Sequence, residues 1–409
     1  MIIQVRRTGQ DSIWHANATT ANASHLSYKK QLGNNTVQIA NFATEHFFAR
    51  YEFTTPHLLG SSDCESVTVA ELLALAGVTW EEFGRLGLGY TESLGHPELR
   101  QQIAASYATV TPADVIMLGA PVEGIYLLAR AALDPGDEVV VLTPAYDALI
   151  HLFEHVVGAE NVKRWRFTPG AGRWELDFDA LRGLISPRTK LLVVNFPHNP
   201  TGYLPTPAQM QQLAMLAEQR GLILFCDEMY FGLVHDGTPA IASAAELTPR
   251  AVVLSGLSKT YGLPGLRTGW LVVKDAGLRA NLVNWKFYTT ICPPAPSEFL
   301  AMAAWRVREH LRARSLARIA TNLQLAEAFF ARWPDLFQWR RPLAGSTALV
   351  GMNVPSVSAY ATHLAETAGV LVLPAANLGA EDRYLRMGFG RAGFDAALAA
   401  FEAHLSENR

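Results

Sequence analysis

Lys259 sits between a short apolar run, residues 251–254, and a turn crowded with small residues: Ser255, Gly256, Ser258, Gly262, Gly265 and Gly269. Arg267 follows eight residues after the lysine. A solvated lysine at a strand end is the ordinary reading of such a position. The small residues argue for more, because they let a bulky group approach the backbone closely. A lysine held there could lose its hydration and its proton and become a nucleophilic amine that forms Schiff bases. A second apolar run, residues 222–226, ends on Asp227, an expensive place for a carboxylate unless a cation meets it.

Residues 254–270 (LSGLSKTYGLPGLRTGW) resemble the active-site lysine motif of the class I/II aminotransferases, pyridoxal-phosphate enzymes of fold type I. The resemblance implies that Lys259 carries pyridoxal 5′-phosphate as an internal aldimine, with Arg267 and Ser258 at its phosphate. Further motifs of that family recur in order along the chain. Residues 89–100 (GYTESLGHPELR) match the block whose tyrosine reaches the other subunit's phosphate, which implies that role for Tyr90 and a homodimer with shared active sites. Residues 115–125 read as a strand, a tight turn and a helix start, and a helix N-terminus offers unpaired N–H groups to an anion. By resemblance Gly119 and Ala120 cradle the phosphate there. Tyr146 closes a β run at Pro-x-Tyr and is expected to stack on the pyridine face. In residues 195–202 (NFPHNPTG), Asn199 matches the asparagine that bonds the phenolic oxygen of the cofactor and borders the substrate. Asp227 matches the acid that keeps the pyridine nitrogen protonated, so that the ring takes up electrons from the substrate Cα. Tyr230 joins Asn199 at the phenolic oxygen. Arg386, in residues 384–390 (YLRMGFG), matches the bidentate clamp on the substrate α-carboxylate.

Two positions depart from the pattern. Pro121 has no N–H to offer at the phosphate turn, although proline is welcome at a first helical position. Gly256 stands where relatives commonly carry a phosphate-binding serine. A third stretch, residues 58–66 (LLGSSDCES), is unusually acidic for a segment that lines the substrate pocket in this family. One reading has Asp63 or Glu65 meeting a cationic substrate side chain; the other makes them caps or surface groups. Residues 286–298, expected to cross between subunits, hold no arginine for an acidic side chain, which disfavours a dicarboxylate substrate. Thr289 and Thr290 there are expected near the partner's cofactor. Arg383 and Arg391 read as surface residues.

These residues need strand ends to carry them. Apolar runs alternating with helical stretches indicate an α/β fold: a large domain with a mostly parallel central sheet, plus a smaller α+β domain. The expected division is a flexible leader at 1–35, a segment at 36–66 joining the small domain, the large cofactor-binding domain at 67–297 and the small domain at 298–409. An amphipathic segment at 37–51 predicts a first helix, and Ser66 or Thr68 an N-cap for the next.

The 409 residues are enough for two domains sharing a sizeable core. A net charge of −3 gives no reason to expect nucleic acid or an anionic membrane, and no run approaches the ~20 apolar residues of a membrane helix. Cys64, Cys226 and Cys292 lack metal spacing, and a reducing cytoplasm is the expected setting. The motifs together imply an aminotransferase acting on an amino acid that is not a dicarboxylate. The stretch 195–202 and the turn 263–267 are also similar to capreomycidine synthase, so cyclisation of a hydroxyarginine-type substrate, or elimination and replacement, stays open. A non-catalytic cofactor-binding sensor is the reading of another class; those proteins carry a DNA-binding domain for which the first 35 residues hold no basic helix.

Overall fold

The computed structural model describes residues 38–170 and 172–407; the leader expected at 1–35 lies outside them. From Asn41 onward the chain forms one unit built around two larger sheets, of eight and four strands, with a two-stranded pair beside them. It opens with helix α1 (Ala43–Tyr51), shorter at its start than the amphipathic pattern suggested. The next helix, Val69–Ala76, is capped by Thr68: its hydroxyl accepts from the Glu71 N–H while the Glu71 carboxylate takes the Thr68 N–H. That reciprocal pair satisfies two otherwise orphaned donors and is worth about 1 kcal/mol.

The large sheet has eight strands: β1 (Val115–Leu118), β2 (Glu138–Thr143), β3 (Val162–Pro169), β4 (Trp174–Leu176), β5 (Thr189–Asn195), β6 (Ile223–Asp227), β7 (Ala251–Gly256) and β8 (Gly269–Val273). Their spatial order is β1-β8-β7-β6-β5-β2-β3-β4. The run from β7 to β3 is parallel, and β1, β8 and β4 are antiparallel to their neighbours. Both faces are covered, as parallel sheets require. Val139, Val141, Leu191 and Val193 pack on one face with helix α2 (Pro121–Ala132). Val140, Leu142, Leu192 and Val194 pack on the other with helix α3 (Pro207–Arg220). The period of two along each strand therefore feeds two cores from one apolar run.

A four-stranded antiparallel sheet follows, made of β9 (Phe337–Gln338), β10 (Thr347–Met352), β11 (Leu373–Pro374) and β12 (Tyr384–Gly388), in the order β9-β10-β12-β11. Helix α4 (Arg308–Arg332) and helix α5 (Phe394–Glu407) cover it, with Phe329 and Phe401 stacked at 5.5 Å between ring centres. Residues His57–Leu58 pair in parallel with Val370–Leu371, so the segment leading out of α1 is stitched to this smaller core. Among the described residues no helix is long and apolar enough to cross a membrane.

Candidate functional site

Strands β5, β6 and β7 run side by side and stop together, so register alone gathers the polar residues at their carboxyl ends. Asn195 pairs with Asp227, and Asp227 with Leu254. In open α/β sheets this edge is where ligands bind. The Asn195 amide donates to the Asp227 carbonyl at 2.7 Å, and its oxygen accepts the Asn199 N–H at 2.7 Å. One buried amide thus ties the loop carrying Asn199 to the strand carrying Asp227. Asp227 is 7% exposed, and its Oδ1 accepts the Met229 N–H at 3.0 Å. Burial pushes its carboxyl up to about 6, against the opposing pull of the Met229 amide and the Lys259 ammonium. Lys259 lies three residues beyond β7, and its Nζ donates to Ser62 Oγ at 2.9 Å.

These groups share a cavity of about 630 Å³. Lys259, Asp227, Asn199 and Tyr230 line it at the strand ends, and Tyr146 lines it from the end of β2. Ser258, Arg267, Arg386 and Asp63 complete the expected residues that reach it. Arg386, on β12 between Leu349 and Leu373, is 2% exposed. Its NH1 donates to Asn199 Oδ1 at 3.2 Å and its NH2 to the Gly60 carbonyl at 2.8 Å, while Nε has no partner among the described residues. Its guanidinium lies over the Phe48 ring, 5.7 Å from the centre. A buried cation with only neutral partners is poised for an anion. The two glycines that follow exist for packing: a Cβ on Gly388 would meet the Ser61 carbonyl oxygen at 1.7 Å, and one on Gly390 the Asp63 oxygen at 2.4 Å. Residues 60–65 are thereby pressed against β12, which brings Ser62 and Asp63 to the cavity.

Elsewhere on the lining, Ser258 Oγ is buried without a partner among the described residues, and Arg267 adopts a left-handed backbone with φ 51°. The start of α2 reaches the cavity through Pro121 and Val122, not through Gly119 and Ala120. The Gly119 N–H is taken by the Glu123 carboxylate at 2.8 Å. Glu123 also accepts the hydroxyls of Thr289 and Thr290, and Lys286 Nζ donates to Thr290 Oγ1 at 2.6 Å. The two sequence departures prove to be one. A Cβ on Gly256 would meet the Pro121 ring at 3.1 Å and the Thr268 carbonyl at 2.9 Å; one on Gly269 would meet that ring at 2.9 Å. The proline ring fills the space into which a serine at 256 would project.

The acidic residues are arranged differently from the expectation. Glu65 does not line the cavity; its carboxylate accepts the Ala392 N–H at 2.7 Å. Asp63 does line it, but is already paired with Arg391, at 2.8 Å between Oδ2 and NH2. Arg391, read as a surface residue, is therefore a wall of the cavity. Two carboxylates went unnoticed in the sequence: Glu45 and Glu52, both reaching the cavity from α1 and its end. Glu45 accepts the Tyr146 hydroxyl at 2.8 Å. The helical period was their signal, since Glu45, Phe48 and Glu52 fall on one face. Tyr90 lies outside the cavity lining and is 92% exposed.

Known proteins share both the sequence pattern and this architecture. The family profile for aminotransferase class I and II matches residues 58–400. Capreomycidine synthase of Streptomyces vinaceus is 33% identical over 352 residues, 85% of this chain and 89% of that one. Valine–pyruvate aminotransferase of Mycobacterium tuberculosis is 33% identical over 250 residues, 58% of this chain and 62% of that one. Among solved structures, a PLP-dependent aminotransferase from Streptococcus suis superposes with a TM-score of 0.83 at 25% identity, covering 90% of this chain and 97% of that one. The PLP-dependent cyclase OrfR superposes with a TM-score of 0.83 at 26% identity, covering 92% of this chain and all of the other.

Proposed function

Because the chain belongs to the aminotransferase class I and II family, we propose that it is a pyridoxal-phosphate-dependent transaminase acting at the Cα of an amino acid other than a dicarboxylate. The observation that carries this reading is the convergence of Lys259, Asp227 and Arg386 on one cavity. The residues suit the cofactor: among the described residues, Ser258 Oγ is a buried hydroxyl with no partner, and Asp227 a buried carboxyl with only an amide bonded to it. Lys259 would hold the cofactor covalently, with Asp227 at the ring nitrogen and Tyr146 against the ring. Asn199 and Tyr230 would stand at the phenolic oxygen. Ser258, Arg267 and the Val122 N–H would take the phosphate, the last because a second helical position has no carbonyl of its own helix to bond. Glu123 already engages the Gly119 N–H, so Val122 does the work expected of that turn. When bound, the cofactor supplies an aldehyde that condenses with amines and a ring that accepts the electron pair released at the substrate Cα.

The chain's own residues do the rest. Arg386 binds the α-carboxylate, and its bonds to Asn199 and Gly60 hold the guanidinium plane so that the Cα–H faces Lys259. The Lys259 amine, held near Ser62, takes the Cα proton and returns it. Asp227 stays ionised once a cation meets it, because the opposite charge offsets the burial that raises its pKa.

A second reading, cyclisation or elimination on a hydroxyarginine-type substrate, is favoured by the likeness to capreomycidine synthase and OrfR and by the carboxylates of α1. The test is to offer the loaded protein a panel of amino acids. Keto acid with the amine form of the cofactor supports transamination; ammonia or a cyclic product supports the second reading. No response to any amino acid refutes both and leaves the sensor.

A homodimer belongs to the proposal. Tyr90 is 92% and Tyr288 81% exposed, and Ile291 adds a half-exposed apolar side chain. The Thr91 hydroxyl bonds the Pro293 carbonyl, which brings these two segments into one patch. A monomer by sedimentation would refute it.

A further inference from the structure

The charges that face the cavity are four basic side chains, Lys259, Arg267, Arg386 and Arg391, and four acidic ones, Glu45, Glu52, Asp63 and Asp227. Most have an assigned partner. Arg391 and Asp63 neutralise one another at 2.8 Å. On the reading above, Lys259, Arg267 and Asp227 belong to the cofactor, and Arg386 to the substrate α-carboxylate. Two carboxylates remain, and both come from α1 and its end.

Among the described residues the Glu45 carboxylate accepts one hydrogen bond, from the Tyr146 hydroxyl. Glu52 has no hydrogen-bond or ion-pair partner for its side chain among the described residues, and it is only partly exposed. Its pKa is raised, first by burial and then by the neighbouring charge of Asp63, with Glu45 adding to it and Arg391 and Lys259 opposing. A carboxylate desolvated beside others of its own sign is unfavourable until a cation arrives. The same cavity wall holds two further buried polar groups. Among the described residues Arg386 is buried with Nε unpartnered, and Ser61 Oγ, 3% exposed and on the same cavity wall, also lacks a partner. Phe48, whose ring lies over the Arg386 guanidinium, sits on α1 between Glu45 and Glu52. The α-carboxylate clamp, the ring over it and the two acids thus line the same cavity.

We propose that Glu45 and Glu52 form the specificity subsite for a cationic substrate side chain, so that the amino acid is anchored by its α-carboxylate at Arg386 and by its guanidinium or ammonium at α1. The inference rests on the cavity being an amino acid site, and it selects the basic amino acids within that class. Asp63 is not part of the subsite, since its charge is spent on Arg391.

The experiment is a titration of the cofactor-loaded protein with L-arginine, L-lysine, L-norleucine and L-glutamate. The half-saturation of the cofactor's absorbance change is read, alongside calorimetric binding. Arginine or lysine should half-saturate at least about ten-fold below norleucine, the magnitude of one hydrogen bond to a charged group. Glu52→Gln and Glu45→Gln, each checked for an intact cofactor band, should each shrink that preference about ten-fold. Tight arginine with weak lysine identifies a guanidinium site, and the converse an ammonium site. Norleucine or glutamate binding as well as arginine overturns the subsite, as does a preference that survives both substitutions. If no amino acid perturbs a cofactor that is bound, the amino acid site itself is refuted, a failure told apart by the silence of norleucine.

Discussion

Replacing Asp227 with asparagine should stabilise the cofactor-free protein at alkaline pH while crippling the loaded one. The carboxyl is 7% exposed, and burial raises its pKa from 3.8 to about 6. The sign follows from linkage. The folded state binds this proton more tightly than the unfolded state, so folding is favoured as pH falls through 6 and penalised above it. At about 1.4 kcal/mol per unit, the penalty at pH 8 is ~3 kcal/mol. With an unfolding entropy of about 2.1 cal/mol/K per residue over roughly 370 residues, that amounts to ~4 °C in Tm. The assay is thermal unfolding of cofactor-free wild type and Asp227→Asn between pH 4 and 8. The variant's advantage should be largest at pH 8, shrink through pH 6 and be nearly gone by pH 4. Added cofactor should reverse the order, because the pyridine cation converts the penalty into an attraction. A variant less stable at pH 8, or a difference that ignores pH, would refute the account of Asp227 as a buried acid awaiting a cation.

Other outcomes follow from the same geometry. Arg386→Lys loses the planar fork to the α-carboxylate, and kcat/KM should fall ~10²-fold through transition-state binding, measured on whichever amino acid proves active. Gly388→Ala places a methyl 1.7 Å from the Ser61 carbonyl, so Tm should drop by several degrees, with an overpacking cost of about 3 kcal/mol or more. Gly256→Ser alone should cost ~1–3 kcal/mol of stability, because the Pro121 ring occupies its space. The double variant with Pro121→Ala should recover part of that loss, and additivity of the two changes in a Tm cycle would contradict the coupling.

The parts of the site that were readable in the sequence are those that a strand end specifies. Asp227 after an apolar run, Asn199 in its proline turn and Lys259 beyond β7 depend on local chemistry and parallel register, and all three face one cavity. Arg386 was readable for the same reason, on a short strand of the second sheet. What escaped depends on contacts between distant segments. Arg391 looks solvated until residues 60–65 are pressed onto β12 by two glycines. Glu65, two residues after Asp63, looked equivalent to it, yet the backbone turns it to the Ala392 amide. Glu45 and Glu52 escaped notice, because nothing within α1 says that this face closes over a cavity. The linkage of Pro121 with Gly256 spans 135 positions and is visible only where β7 and β8 meet the start of α2.

The central claim is that Lys259 is the amine that carries the cofactor. The direct measurement is borohydride reduction of the loaded protein followed by peptide mapping. The account predicts one pyridoxyl label per chain, on Lys259, and none after Lys259→Ala. A label on another lysine such as the buried Lys286, or a protein that takes up no cofactor at all, would contradict it.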